Sequence, residues 1–373
     1  MHVLFIPSWF ESPGHPTSGK AIKDLAIALT QNGVKVNILF QSSHPFNSKT
    51  DLIQGISLYH VRNYFGLKSF PVFRNISAYL YLKIFKQYIS DHGLPDIIHL
   101  HGYQGLAFAT HIKNKFKLPF VYTEHSSSVA LHKLHGFGRS FLRQYSLDAN
   151  SIIAVSNYLR TELKKYTSRV DYVIPNCIDF SFFKPADKLK EKKIMMINLL
   201  TKNKQVDLGI HVFEHFLKAN PEYALHIIGN GPEKGSLRKL IDAYNLHSKV
   251  FLRGEQKSEE WIDDLRSSSC LWLLSKSETF GVVVVEALAC GIPVVCLDNK
   301  GVRDIAQVLE GNPMLNVLPS DSSLEAMNKE MENIILTRNP LDAIECRNRM
   351  KAKFGFNEVA NRYITIYKEI SRA

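Results

Sequence analysis

Several things are scarce in this chain of 373 residues. There are five cysteines, Cys177, Cys270, Cys290, Cys296 and Cys346, an odd number with no C-x-x-C pair. That argues against a disulfide scaffold and fits reduced, buried thiols in a cytosol. No apolar run approaches the ~18 residues of a membrane-spanning helix. The opening MHVLFIPSWF has no basic stretch and too few apolar residues for a secretory leader. No repeat or low-complexity segment occurs. Nor does any Asp-x-Asp pair, so a metal held by that motif is excluded. Acids are outnumbered by bases, leaving a formal charge of +11.

What is present is globular in character. Apolar residues make up 45% and charged residues 22%, enough to bury two cores of ordinary size. The charge is uneven. Residues 1–180 hold 19 Lys and Arg against 10 Asp and Glu, whereas the remainder holds 27 against 25. A basic first half suits an anionic partner: a phosphorylated substrate, an acidic membrane surface or nucleic acid. Nucleic acid is disfavoured because no recognised binding module appears.

Strand and helix signals alternate. VLFIPS (3–8) reads as a buried strand and KAIKDLAIALTQNG (20–33) as a helix with Ile22, Leu25, Ala26 and Leu29 on one stripe. Gly33 is its stop, and VKVNILF (34–40) is the next strand. Further strands are expected at 96–101, 119–123, 151–156 and 170–174. A lysine-rich stretch with Pro185, residues 179–193, reads as a linker. The alternation then restarts, with strands at 194–200, 224–229, 249–254, 270–274 and 293–298, and a largely helical tail from Ser320. Two doubly wound α/β halves follow, with ligands expected at the carboxyl ends of the strands, in the cleft between halves.

One stretch concentrates the chemistry. SETFGVVVVEALACGIPVV, Ser277 to Val295, sets Glu278 and Glu286 eight residues apart around four valines. Lone acids in so apolar a run are costly to bury without partners. Valines favour a strand, but CLWLL before and IPVV after already supply strands, so SETFG falls at a loop and a helix N-terminus. Such a terminus favours an anion such as a diphosphate, and Gly281 lets the backbone approach it. At ~1.5 Å per helical residue the two acids stand about 12 Å apart, roughly the reach of a nucleotide sugar from hexose to ribose.

The segment Glu278-x7-Glu286 followed by ALACGIPVV resembles the E-x7-E signature of retaining glycosyltransferases of family 4, which have the GT-B fold of two Rossmann-like doubly wound domains. PDIIHLHG (95–102), LPFVYTEH (118–125), VIPNCIDFSFFKP (173–185), HIIGNGPEKGSLRKL (226–240), KVFLRG (249–254) and FGFNEVANRYITIYKEI (354–370) fall in the order that family requires. The resemblance implies an acceptor-binding domain over 1–182, completed by a closing helix at 355–373, and a nucleotide-sugar-binding domain over 183–354. It implies that Glu278 holds donor sugar hydroxyls and Glu286 the ribose. The segment Thr279, Phe280, Gly281, Val282 then lines the donor, the amides of the last three holding the distal phosphate. Lys204 would neutralise the leaving diphosphate, Gly19 would let the first helix approach the phosphates, and His125 would lie close to the reacting carbon.

There are departures. Where the family has an arginine five or six residues before the lysine, this chain has Leu199 and Asn198: either half of the cationic clamp is missing or Lys202 supplies it from another angle. The Pro-Asn-Gly turn reads Pro175-Asn176-Cys177, which would strain a left-handed Cys177. A Gly-Gly pair reads Lys300-Gly301, which would let Lys300 reach the donor.

The expectation is therefore a metal-independent, retaining hexosyltransferase without cofactor. Its substrate is a nucleotide-diphosphate sugar, UDP-sugar favoured over GDP-sugar, and its acceptor a glycan, lipid-linked acceptors included. The place expected is cytoplasmic, peripheral on an inner membrane face. The alternatives are a sugar-nucleotide epimerase of the same fold and a non-catalytic sugar-nucleotide or membrane-binding protein. Gly229-Asn230-Gly231 lacks the spacing of a dinucleotide loop and reads as a turn facing the donor. His99 and His101 share a strand face without a zinc motif; His99 reads as packed and His101 as lining the cleft. The segment 61–89, with 113–117 and 132–143, mixes bases with aromatics, either as ordinary amphipathic helices or as a membrane-facing surface.

Overall fold

The computed structural model describes residues 1–372 except 13–14, 43–47, 52–54, 63–70, 135, 187–190 and 338. Parts of the basic aromatic segments (63–70 and 135) and of the linker stretch (187–190) thus lie outside the described residues. The chain divides into two units, Met1–Cys177 with Phe356–Ala373, and Ile178–Gly355. The sequence reading set the first division at 182/183; here it falls at 177/178.

Among the described residues the first unit has eight strands: β1 (His2–Pro7), β2 (Lys35–Ser42), β3 (Ser48–Asp51), β4 (Ser57–Arg62), β5 (Ile97–His101), β6 (Phe120–Glu124), β7 (Ser151–Ala154) and β8 (Tyr172–Val173). They form one sheet in the order β3-β4-β2-β1-β5-β6-β7-β8, parallel except for the β3–β4 edge pair. Its helices are α1 (Lys20–Gln31), α2 (Pro71–His92), α3 (Leu106–Phe116), α4 (Ser127–Ala130), α5 (Gly136–Tyr145) and α6 (Asn157–Leu163). Strands buried on both faces read as unbroken apolar runs, which is why VLFIPS and DIIHLH stand out. All four residues of the α1 stripe are buried, and Ala28 joins them.

The last helix, α14 (Phe356–Arg372), belongs to this unit. Val359, Ala360, Tyr363, Ile366 and Tyr367 fill the core beside α1. The Tyr367 hydroxyl lies 2.6 Å from His99 Nδ1, and Thr123 Oγ1 lies 2.7 Å from His99 Nε2. Both histidine nitrogens are thereby satisfied in a fully buried site.

The second unit is built from β9 (Lys193–Ile197), α7 (Val206–Phe216), β10 (Ala224–Ile228), α8 (Lys234–Ala243), β11 (Val250–Gly254), α9 (Ser258–Ser267), β12 (Cys270–Leu273), α10 (Val282–Ala289), β13 (Val294–Leu297), α11 (Arg303–Val308), β14 (Leu315–Leu318), α12 (Leu324–Leu336) and α13 (Pro340–Phe354). The sheet is all parallel, in the order β11-β10-β9-β12-β13-β14. Around its edge the segment after Ile178 is held by Arg347, whose guanidinium donates to the carbonyls of Phe180 (2.6 Å), Phe183 (2.7 Å) and Ala289. The backbone of Ile178 bonds to Phe354 at 2.8 Å, so the stretch expected as a linker is partly tied into this unit.

Three sequence expectations change. Strand β14 lies just before the tail read as helical. Cys177 is a core residue, 1% exposed, and is not among the described residues with positive φ, so the anticipated strain does not arise. His101 is fully buried rather than lining a cleft, its ring tilted against His99 at 4.0 Å and Phe5 at 4.4 Å. Of the segment 61–89, the described side chains begin at Leu82; there Phe85 and Tyr88 are buried while Lys83 and Lys86 are exposed.

Candidate active site

In the second sheet the strand order reverses between β9 and β12. Connections leave that point in opposite directions, so the loops at the carboxyl ends of these two strands border a natural ligand crevice. The loop after β9 carries Lys202–Lys204 as a short 3-10 turn. The loop after β12 carries Ser277 to Gly281. The two are sewn together: Lys276 N donates to Asn203 O at 2.8 Å, and Asn203 Nδ2 donates to Ser277 O at 2.8 Å. Lys204 Nζ then lies 2.6 Å from Glu278 Oε1, with side chains 19% and 12% exposed. Half-buried, this pair is less screened than one on the open surface.

Helix α10 begins immediately after. Gly281 takes φ +97°, a left-handed turn that suits glycine, and Val282 opens the helix. The Phe280 side chain is fully buried, 5.4 Å from the Phe354 ring, and anchors the turn. Among the described residues, no group accepts from the backbone amides of Phe280, Gly281 or Val282. They are first-turn donors at the positive end of the helix dipole, suited to an anion. Thr279 stands half-buried beside them. Because the helix starts at Val282, the separation of about 12 Å reckoned from a continuous helical rise does not apply: half of the interval from Glu278 is loop. Glu286 lies one turn into α10 and is 3% exposed.

Two further loops set this geometry by close backbone contact. A Cβ at Gly301 would lie 2.2 Å from the Glu278 carbonyl oxygen, so the loop after β13 supports Glu278 only with glycine there. Lys300 before it is left-handed at φ +66°. A Cβ at Gly229 would lie 1.7 Å from Asn198 O, and one at Gly231 would lie 2.4 Å from Leu200 O. The Gly-Asn-Gly turn therefore packs against the loop that carries Lys204. Gly229 N also donates to Gly254 O at 2.7 Å, linking it to the Arg253–Glu255 segment. Leu199 is 61% exposed.

The first unit repeats the logic. Its order reverses between β1 and β5. Gly19, at φ +77°, stands just before α1, and a Cβ there would meet Phe10 Cα at 2.9 Å. At the end of β6, Glu124 is buried, and burial raises its pKa. Its Oε1 accepts from the amides of His125 (2.8 Å) and Ser126 (2.6 Å), and its Oε2 from the Tyr122 hydroxyl at 2.5 Å. The His125 ring sits between His101 (3.1 Å) and Asn176 (3.2 Å), edge-on to Trp9 at 6.4 Å. Burial pushes the His125 pKa down to about 4, so the ring is neutral at pH 7.

The second unit thus gathers Lys204, Glu278, Thr279, Phe280, Gly281, Val282 and Glu286, and the first unit carries Gly19 and His125. Sequence reasoning missed Gly301 as a support of Glu278, and Asn176 and His101 as partners of His125. A signal existed for Asn176, which stands in the Pro-Asn-Cys turn.

Comparison with known proteins follows this geometry. Residues 18–182 match the family described as Glycosyltransferase Family 4, and residues 178–351 match Glycosyl transferases group 1. An exopolysaccharide phosphotransferase of Streptomyces coelicolor is 34% identical over 53% of this chain, although the match spans only 21% of that protein. An uncharacterized glycosyltransferase of Methanocaldococcus jannaschii is 26% identical over 91% of each chain. The GPI3 subunit of the Saccharomyces cerevisiae phosphatidylinositol N-acetylglucosaminyltransferase is 24% identical over 86% of this chain and 72% of its own. Among solved structures, sucrose-phosphate synthase of Thermosynechococcus elongatus superposes with a TM-score of 0.78 at 16% identity, over 99% of both chains. HepE of Anabaena in complex with UDP-glucose gives 0.74 at 16%, over 99% of this chain and 100% of that one. With a family match on each unit and one shared architecture, the chain belongs to the family 4-like glycosyltransferases of the GT-B fold.

Proposed function

We propose that this enzyme is a retaining, metal-independent hexosyltransferase. It transfers sugar from a nucleotide-diphosphate sugar, UDP-sugar before GDP-sugar, to a glycan acceptor in surface polysaccharide synthesis, lipid-linked acceptors included. The observation that carries the reading is the Lys204–Glu278 pair at the strand-order reversal, beside the amides that open α10. A cation, a carboxylate and a helix N-terminus meet where a sugar diphosphate needs all three. Relatives support the sugar-nucleotide part: HepE was crystallised with UDP-glucose, and the yeast subunit belongs to an N-acetylglucosaminyltransferase.

The chemistry follows from charge. Departure of the nucleoside diphosphate leaves an oxocarbenium-like sugar and puts negative charge on the phosphates. Lys204 and the amides of Phe280, Gly281 and Val282 are fixed before that charge develops, so little reorganisation is needed. Glu278 takes sugar hydroxyls and Glu286 the ribose. For Gly19 and His125, on the first unit, the family resemblance assigns the phosphates and the reacting carbon. No carboxylate is assigned as a covalent nucleophile. The acceptor hydroxyl attacks the face the diphosphate leaves, and a phosphate oxygen takes its proton. The basic exposed residues of the first unit, Lys115, Lys117, Arg139 and Arg143 among them, suit an anionic membrane surface that presents the acceptor. No helix among the described residues is long and apolar enough to cross a membrane.

The test is a panel of UDP- and GDP-sugars assayed for transfer, with and without EDTA. Transfer from a UDP-sugar that survives EDTA supports the reading. Donor hydrolysis or epimerisation without transfer rejects it, and loss of transfer in EDTA rejects its metal-free part.

A further inference from the structure

The environment of His125 fixes more than its position. Its Nδ1 lies 3.2 Å from Asn176 Oδ1, and its Nε2 lies 3.1 Å from His101 Nδ1. An amide oxygen can only accept, so the His125 proton sits on Nδ1 and its Nε2 is a lone pair. His101 must then donate through its own Nδ1–H. That leaves His101 Nε2 as a buried acceptor with no partner among the described residues. The backbone of His125 is pinned separately, through the Glu124 carboxylate that accepts its amide. Asn176 is 8% exposed and His101 is fully buried, so water competes little for either bond.

We propose that Asn176 and His101 are positioning residues that hold His125 as the neutral Nδ1–H tautomer, with both ring nitrogens engaged inside the protein. The inference rests on the proposed function for its consequence. A ring so engaged has no free lone pair for the incoming hydroxyl, so His125 shapes the site and is not the base that deprotonates the acceptor. Which nitrogen of a neutral imidazole carries the proton is set by the bond the other one makes. Here the Asn176 bond gives the answer, and the His101 bond is compatible with it.

The test reads the tautomer directly, independent of any transfer assay. In protein labelled with 15N-histidine, long-range proton–nitrogen spectra at pH 7.5 are expected to show His125 Nδ1 protonated and Nε2 bare. Asn176→Ala should shift His125 toward Nε2–H. It should also lower kcat by about ten- to a hundredfold with donor KM little changed, as loss of orientation does. His101→Asn, which keeps a donor in the same place, should preserve the Nδ1–H form. If Asn176→Ala does not fold, His101→Ala perturbs the ring from the other side and should mix the tautomers. Wild-type His125 found as Nε2–H or as imidazolium overturns the proposal, as does an unchanged tautomer in Asn176→Ala. Absence of transfer from every nucleotide sugar would instead reject the proposed function and leave the spectra to decide this point.

Discussion

The ammonium of Lys204 lies 2.6 Å from the carboxylate of Glu278, two groups that the sequence places on different strand-end loops. A donor sugar bound here has to divide them, the phosphates drawing Lys204 and the sugar hydroxyls drawing Glu278. Lys204→Ala is expected to lower kcat by about 10²- to 10³-fold, the scale seen when one fixed charge-stabilising group is lost. Donor KM should change less. Glu278→Ala should abolish transfer. Steady-state kinetics with the preferred sugar nucleotide check both, and an unchanged kcat in Lys204→Ala rejects the leaving-group role.

Gly301→Ala tests the support beneath Glu278. Its Cβ would stand 2.2 Å from the Glu278 carbonyl oxygen, a clash with backbone that no rotamer relieves. The loop has to move, at a cost of about 1–3 kcal/mol. Denaturant melts should show that loss, and calorimetry should show weaker donor binding. Gly235→Ala is the control, because that glycine is helical, without positive φ, and a Cβ there meets nothing within 4 Å.

Leu199→Arg restores the cation that the resembled family carries. Leu199 is already 61% exposed, so the substitution buries no charge and should alter stability by less than about 0.5 kcal/mol. UDP is expected to bind several-fold more tightly in titration calorimetry. Equal affinity would mean that the exposed side chain does not reach the diphosphate.

Acid should weaken the first unit. Burial holds His125 and His2 down to about 4, and His99 and His101 well below the ordinary value of 6.5. The unfolded chain therefore takes protons first as pH falls, and it is the unfolded state that gains. The stability tied to neutral imidazoles is complete above about pH 6.5 and is lost progressively as pH falls toward the folded values. Glu124, raised by burial, works the other way, but four imidazoles oppose one carboxyl. Hydrogen exchange at pH 8 and pH 5 should show β1, β5 and β6 losing protection before β9 and β12. Equal loss in both units would reject the account.

Most of the architecture was legible because parallel strands, covered on both faces, leave uninterrupted apolar runs, and helices leave stripes. The exceptions have physical reasons. Strand β14 is only four residues, Leu315–Leu318, next to a long helical pattern. The run VVVV, strand-like in composition, was legible as helix only through the strands on either side, and Gly281 turns the chain into that helix. Lys204 and Glu278 were each singled out through the resemblance, but their ion pair was not. Gly301 under Glu278 was not, nor was Asn176 beside His125, 51 residues away. Such contacts depend on which strand ends adjoin, and no local pattern records that.

Helix α14 gives the order of synthesis a particular meaning. Residues 178–355 are contiguous and are made before Tyr363 and Tyr367. Until then His99 lacks its hydroxyl partner and the space beside α1 is unfilled. The half of the protein translated first is therefore the last to be finished, and a released chain truncated after Gly355 should hold a folded second unit and an incomplete first one.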